Sequence, residues 1–217
     1  MTTRVFVYEH LTSGGFVGLP ESLAREGRAM LAAVLADFEA CPDVASVTVE
    51  RADEWSFRAA ARQSDFALVI APEFDDILAR RCEWADEEGC QLLGPSVEAV
   101  RLTADKLCLA EHLTRAGVPT IPTLPFTRTP PWPPPYVCKP RFGAGSQDTF
   151  LVSDLHDFPT CPDGIVQPYL APRHGALSLA CIGGMPLVLM RQTLSDDGRF
   201  RYLGGERALD VDRKSVV

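Results

Sequence analysis

Positive charge is scarce in this sequence. Its 217 residues include 21 Lys and Arg against 29 Asp and Glu, which gives a formal net charge of −8 and a pI near 5.0. Because phosphate neutralisation needs a basic surface, this balance argues against a general nucleic-acid-binding protein. Lysine is especially rare, since the sequence contains only Lys106, Lys139 and Lys214.

Several other features are missing. No stretch approaches the about 18 uninterrupted apolar residues that a membrane helix needs, so no membrane partner is expected. The opening MTTRVFVYEH lacks the apolar core and small-residue cleavage site of a secretory leader. The seven cysteines show neither CxxC nor Cys/His ligand spacing, which argues against disulfides or a cysteine metal site. We therefore expect a cytoplasmic protein with reduced thiols.

The first hundred residues indicate a parallel α/β domain. Short apolar runs at 5–8, 44–49, 66–70 and 91–93 have the character of buried strands, and helical patterns lie between them at 20–38, 53–62 and 75–88. Alternating strands and helices predict a parallel sheet with helices on both faces. This region holds 18 acidic and 8 basic residues, whereas residues 101–217 hold 11 and 13. The split suggests two domains, 1–100 and 101–217, with different roles.

The second region begins with a helix and a proline-rich connector. One helix is predicted from Ser96, a candidate N-cap, along an apolar stripe that stops at Gly117. Residues 119–135 then contain eight of the 18 prolines, which excludes a helix or a central strand. Strand-like runs at 136–139, 149–152, 165–170, 177–182 and 187–191 follow and predict an antiparallel sheet.

The segment YVCKPRFGAGSQDTFLV, residues 136–152, carries the clearest chemistry. A strand delivers Lys139, and a loop of small residues follows: Gly143, Ala144, Gly145 and Ser146. Glycines let backbone amides approach a phosphate and an ammonium supplies positive charge, so the segment is a candidate nucleotide-phosphate site. A hairpin with a flexible turn and a surface lysine explains the same string equally well. The Walker A pattern GxxxxGK[ST] is absent.

A second candidate is Lys106, in the helix before the connector. A lysine on a helix is usually solvated. Here the rarity of lysine, and the position of Lys106 and Lys139 on the two sides of one connector, favour a shared role.

Together these segments resemble the ATP-grasp superfamily of carboxylate–amine ligases. The resemblance rests on Asp105–Lys106, AGVP at 116–119, VCKP at 137–140 with its small-residue loop, and VQPYL at 166–170. The opening VYEHLTSGGF, with EGRAML at 26–31, also resembles the subgroup that contains tyramine–L-glutamate ligases of methanofuran biosynthesis. The resemblance implies a pre-ATP-grasp domain over 1–100 followed by an α+β ATP-grasp module over 101–217.

The resemblance also implies roles for single residues. Lys106 and Lys139 would contact ATP phosphates, and the 143–146 loop would close over them. Gln167, Tyr169 and Leu170 would belong to the hinge strand whose backbone reads adenine, with Gln167 where many members carry an acid. The segment 175–178 resembles the one that reaches the ribose, without the usual acidic residue. Arg191 would stabilise an acyl phosphate, although an exposed strand arginine explains it equally well.

Magnesium is implied as well, held by carboxylates and an asparagine in a late Glu-x-Asn motif. No such motif occurs before Val217, and the late acids Glu206, Asp210 and Asp212 give little support for a metal strand. The metal ligands are therefore expected beyond this chain. Ser13 to Gly15 fit either a substrate cleft or a tight turn, and the tight turn is favoured. The four histidines, His10, His112, His156 and His174, are expected to be solvated or capping.

Three functions stay open. The first is an ATP-dependent ligase that acts through an acyl phosphate on small carboxylate and amine substrates, with glutamate and tyramine suggested by the resemblance alone. The second is a truncated or non-catalytic nucleotide-binding module. The third is an α/β binding protein without nucleotide. The oligomeric state, including a homo-oligomer, is left open.

Overall fold

The chain is represented by a computed structural model that describes residues 2–16, 18, 21–73, 75–143, 146, 148–157, 163–171, 176–182 and 185–207. It divides into two compact units, Met1–Asp105 and Lys106–Val217. Within the described ranges, no helix has the length and apolar character of a membrane span.

The first unit contains a four-stranded sheet in the order β2-β1-β3-β4. Every pairing is parallel, with Thr3 opposite Val44, Val5 opposite Phe66 and Phe66 opposite Gln91. The strands are β1 Thr3–Glu9, β2 Val44–Val47, β3 Phe66–Ile70 and β4 Gln91–Leu92. The predicted parallel sheet is confirmed, and all four strands lie where apolar runs predict them.

Among the residues described in this unit, the helices that accompany the sheet are α1 Glu21–Glu39, α2 Glu54–Arg62, α3 Ile77–Glu87 and α4 Val97–Ala104. Ser96 caps α4 as predicted, because its hydroxyl accepts a hydrogen bond from the Ala99 amide at 3.3 Å. The core forms where β1 meets α2, with the Phe57 ring 5.0 Å from Phe6 and 4.9 Å from Tyr8. Edge-to-face packing of this kind adds to the burial energy of the rings.

The single helix predicted after Ser96 is wrong, because the chain forms two. After α4, Asp105 adopts an extended backbone with φ −97° and ψ 99°, and α5 begins at Lys106 and ends at Arg115. The Lys106 amide donates to the Arg141 carbonyl at 3.2 Å instead of to a helical carbonyl. A tertiary hydrogen bond thus overrides a continuous apolar stripe.

In the described part of the second unit the strands form two antiparallel sheets, where a single sheet was expected. One has the order β5-β8-β6-β7 and the other β11-β10-β9. Their strands are β5 Leu124–Pro125, β6 Tyr136–Pro140, β7 Phe150–Val152, β8 Gly164–Pro168, β9 Ala176–Ile182, β10 Met185–Leu194 and β11 Tyr202–Arg207. Strand patterns in the sequence do not determine which strands pair. Strand β11 was not predicted because its two glycines have a low propensity for β-strands. Strand β5 lies in the proline-rich segment but at a sheet edge, where proline is tolerated.

The two faces of the first of these sheets differ. Cys138 pairs with Phe150 and Val166, and this face packs into a core with Val152 and Leu124. Directly opposite residues of antiparallel strands share a face and neighbours alternate. Lys139 and Gln167 therefore lie together on the other face.

Candidate nucleotide-phosphate site

Lys106 is fixed against the segment that follows β6. It is the first residue of α5, and its Nζ donates to the Gly143 carbonyl at 2.6 Å and to the Arg141 carbonyl at 3.3 Å. Its backbone amide also donates to Arg141. Two backbone carbonyls thus hold the ammonium beside the small-residue loop, which is not the arrangement of a solvated surface lysine.

Lys139 approaches the same place from β6. Burial lowers the pKa of its ammonium, and the positive charge of Lys106 lowers it further. No hydrogen bond or ion pair to Lys139 occurs among the described residues. Two neighbouring cations form a site that an anion would stabilise.

The loop itself is described at its two ends. Gly143 has φ +97° with nothing within 4 Å of an added Cβ, so the backbone conformation rather than space favours glycine there. Ser146 also has positive φ, at 57°. Ala144 and Gly145 lie outside the described residues. The described ends have the left-handed backbone that is common in loops whose amides face an anion.

The predicted hinge lies at the end of β8. The Gln167 Nε2 donates to the Thr123 hydroxyl at 2.8 Å, which directs its carbonyl oxygen away from Thr123. The predicted strand 165–170 ends earlier, at Pro168, so Tyr169 and Leu170 follow it. The Tyr169 amide donates to the Pro135 carbonyl at 3.1 Å, and 60% of Leu170 is exposed.

Arg191 lies on β10, in the other sheet. Its side chain is 58% exposed and its guanidinium is 3.8 Å from the Glu206 carboxylate. No contact in the described part of the unit joins Arg191 to either lysine. Of the segment 175–178, residues 176–178 begin β9 and Gly175 lies outside the described residues.

The described residues contain no group of three or more His, Cys, Asp or Glu side chains that could hold a metal ion. Asp210 and Asp212 lie outside them. Ser13 to Gly15 form a turn after β1, and the Ser13 hydroxyl donates to the Glu9 and Val49 carbonyls at 2.8 and 3.0 Å. The favoured tight turn is thus observed.

The expectation of a solvated or capping role is wrong for His10. Its side chain is buried with 2% exposure, and its Nδ1 is 2.7 Å from the Tyr8 hydroxyl. Burial, assisted by the positive charge of Arg81, lowers the pKa of His10 to about 4. His112 and His156 are exposed, and His174 lies outside the described residues.

Three features of this unit were not found from the sequence. They are the Arg141 carbonyl that holds Lys106, the Thr123 hydroxyl that orients Gln167, and the turn at 195–201 that joins β10 to β11. A backbone acceptor has no sequence pattern, and Thr123 is 44 residues from Gln167. The sequence offered no signal for the first two, whereas the Asp197-Gly198 dipeptide in the third is a turn signal that could have located it.

Comparison with protein-family models gives two matches. A pre ATP-grasp 3 domain matches residues 29–100, and an ATP-grasp domain matches residues 103–217. A comparison with curated proteins found no match.

Solved structures share the fold at low identity. An ATP-grasp superfamily protein from Archaeoglobus fulgidus is 23% identical with a TM-score of 0.72, covering 98% of this chain and 67% of its own. The ATP complex of D-alanine–D-alanine ligase from Bacillus anthracis is 14% identical with a TM-score of 0.69, covering 98% and 72%. An L-amino acid ligase from Bacillus licheniformis is 16% identical with a TM-score of 0.57, covering 99% and 56%.

Proposed function

Because this chain belongs to the ATP-grasp family, we propose that it acts as an ATP-dependent carboxylate–amine ligase. The observation that carries the proposal is the pair of lysines at the small-residue loop, where Lys106 is held by Gly143 and its charge lowers the pKa of Lys139. The ATP complex of the Bacillus anthracis ligase, which has this fold, supports nucleotide as the anion.

The proposed reaction has two steps. A carboxylate oxygen attacks the γ-phosphorus of ATP, and the bond from that phosphorus to the β-phosphate oxygen breaks. ADP departs, and the carboxylate becomes an acyl phosphate. The amine nitrogen then attacks the acyl carbon, the bond to the phosphate oxygen breaks, and inorganic phosphate leaves as the nitrogen loses a proton. Lys106 and Lys139 stabilise negative charge on the phosphates, and Arg191 stabilises the acyl phosphate.

Magnesium normally accompanies phosphoryl transfer from ATP. The described residues contain no group of three or more His, Cys, Asp or Glu side chains that could hold a metal ion, and no step is assigned to a metal here. The second candidate function is a nucleotide-binding module without turnover, and it is motivated by the lack of a Glu-x-Asn motif in this sequence.

The proposed carboxylate and amine are glutamate and tyramine. This choice rests on the resemblance of the opening segment to tyramine–L-glutamate ligases. The names of two proteins with this fold, an L-amino acid ligase and a D-alanine–D-alanine ligase, support an amino acid as the carboxylate substrate.

Nucleotide binding is tested by titrating ATP into the wild-type chain and into Lys139→Ala by calorimetry. Loss of a charge-assisted hydrogen bond to phosphate is expected to weaken ATP binding by at least about tenfold. Arg128→Ala removes one positive charge from an exposed position of the same unit and should leave the affinity unchanged. Equal ATP affinities in all three proteins would disprove the assignment of the lysine pair.

Turnover separates the two candidate functions. The chain is incubated with ATP, Mg²⁺, glutamate and tyramine, and ADP release is followed. ADP that appears only when both the carboxylate and the amine are present supports the ligase. ATP binding without ADP formation supports the binding module instead.

A further inference from the structure

The turn between β10 and β11, residues 195–201, is built around one carboxylate. Asp197 accepts hydrogen bonds from the Ser195 hydroxyl at 2.6 Å, the Arg199 amide at 3.1 Å and the Arg201 guanidinium at 2.5 Å. The Ser195 amide also donates to the Arg201 carbonyl at 2.8 Å, and the Arg201 amide donates to the Ser195 hydroxyl at 2.9 Å. This network encloses the turn and fixes its backbone.

The turn contacts the other sheet of its unit. The Leu151 amide donates to the Gly198 carbonyl at 2.8 Å, and the Arg199 guanidinium lies 4.7 Å from the centre of the Phe150 ring. Leu151 and Phe150 belong to β7, an edge strand that begins a few residues after the small-residue loop. The turn thus accepts a hydrogen bond from a backbone amide of β7, the strand that follows the proposed phosphate site.

The same turn also reaches the predicted hinge. The Phe200 ring lies 6.1 Å from the Tyr169 ring at an interplanar angle of 30°. Phe200 has φ +54°, a left-handed conformation that is unfavourable for an aromatic residue and needs support from its surroundings. The hydrogen bonds that the neighbouring residues Arg199 and Arg201 donate to Asp197 supply that support.

We infer that Asp197 is a positioning residue for nucleotide binding, which acts by holding β7 and the hinge residue Tyr169 on one rigid turn. The inference rests on the proposed function, in which the phosphates lie at the loop before β7, and on the predicted adenine hinge at Gln167, Tyr169 and Leu170. A ligand that spans two segments binds more tightly when both segments are already held in place, because less conformational entropy is lost on binding. Asp197 itself contacts neither lysine in the described part of the unit.

A turn that served only the hairpin would need only its internal bonds. Here two consecutive residues, Gly198 and Arg199, contact β7, and the next residue, Phe200, contacts the hinge. These outward contacts distinguish a positioning role from simple stabilisation of β10 and β11.

Three variants test the inference: Asp197→Ala, Asp197→Asn and Asp196→Ala. Asparagine keeps the Oδ1 acceptor of the Ser195 and Arg199 bonds but puts an amide donor in place of the Oδ2 that accepts from Arg201, so it should retain only part of the wild-type function. Asp196→Ala removes the same charge from the same turn and serves as the matched control. All measurements are made well below the melting temperature of each variant.

The first measurement is amide hydrogen exchange of the full chain without nucleotide. Exchange at the Leu151 amide should become faster in Asp197→Ala and stay at the wild-type rate in Asp196→Ala. The second is the ATP dissociation constant, which should rise by about fivefold in Asp197→Ala, the effect expected for loss of one hydrogen-bonded network element. Asp197→Asn should lie between the wild type and Asp197→Ala in both measurements, because it keeps the Oδ1 acceptor and loses the Oδ2 acceptor.

The outcomes separate this inference from the proposed function. If the wild-type chain does not bind ATP, the proposed function fails, whatever the variants do to Leu151 exchange. If the wild type binds ATP and Asp197→Ala binds it equally well, the positioning role is refuted. Unchanged exchange at Leu151 in folded Asp197→Ala would also overturn it.

Discussion

At the scale of single residues, the candidate phosphate site depends on two lysines, a residue type that is rare in this sequence. The sequence uses three lysines, and two of them converge at the loop that begins with Gly143. Rarity and spacing predicted that Lys106 and Lys139 share a role. The carbonyls of Arg141 and Gly143 that hold Lys106 could not be predicted, since every residue carries a carbonyl and only the fold selects two of them.

His10 allows a prediction about pH. Burial and Arg81 lower the pKa of His10 to about 4, so the folded protein keeps it neutral, whereas the unfolded chain takes up a proton below about 6.5. Stability contributed by the neutral ring is therefore full above pH 6.5 and is lost as the pH falls toward 4. Between pH 7 and pH 5 this loss amounts to about 2 kcal/mol.

Urea unfolding at pH 7 and pH 5 measures this effect. Between pH 7 and pH 5, the free energy of unfolding of His10→Gln should fall by about 2 kcal/mol less than that of the wild type, because glutamine has no titrating ring. His112→Gln, which alters an exposed histidine, should behave as the wild type does. Identical pH dependence in the wild type and His10→Gln would contradict the prediction.

At the scale of elements, local signals located most helices and strands but not their partners. The cap at Ser96, the parallel strands of the first unit and β6 were all predicted from residue type and periodicity. The break at Asp105 and the division of the second unit into two sheets were not. Both depend on contacts between residues distant in sequence, such as the amide of Lys106 with Arg141.

The Ser96 cap gives a prediction at this scale. Ser96→Ala removes the acceptor for the Ala99 amide and should lower the free energy of unfolding by about 1 kcal/mol. Ser96→Asp keeps a side-chain acceptor at the same place and should recover most of that loss. The comparison uses the midpoints of urea unfolding, and a loss of equal size in both variants would show that the cap does not act through this hydrogen bond.

At the scale of the whole molecule, charge and structure divide the chain similarly. Residues 1–100 carry 18 acidic and 8 basic residues, and all three lysines lie at or beyond position 106. The first unit, Met1–Asp105, has its own buried clusters, one around Phe6, Tyr8 and Phe57 and another around Cys82 and Val100. An internal core of this kind is what an independently folding domain requires.

The isolated fragment 1–105 is therefore expected to fold by itself and to bind no ATP. Circular dichroism during urea titration should show a cooperative transition, and calorimetry with ATP should show no binding. The full chain, measured in parallel, provides the positive control for ATP. Non-cooperative unfolding, or ATP binding by the fragment, would each contradict the prediction.

The sequence by itself determined the parallel first domain, the family, and the residues that make up the proposed phosphate site. The first domain follows from residue type and periodicity, and the family follows from the resemblance of short motifs, all of which are local properties of the sequence. Only the tertiary structure decided that Lys106 begins a new helix against Arg141, that His10 is buried beside Tyr8, and that the turn at 195–201 meets both β7 and Tyr169. Those features arise from backbone groups and side chains brought together across long stretches of chain, and no local pattern encodes such a meeting.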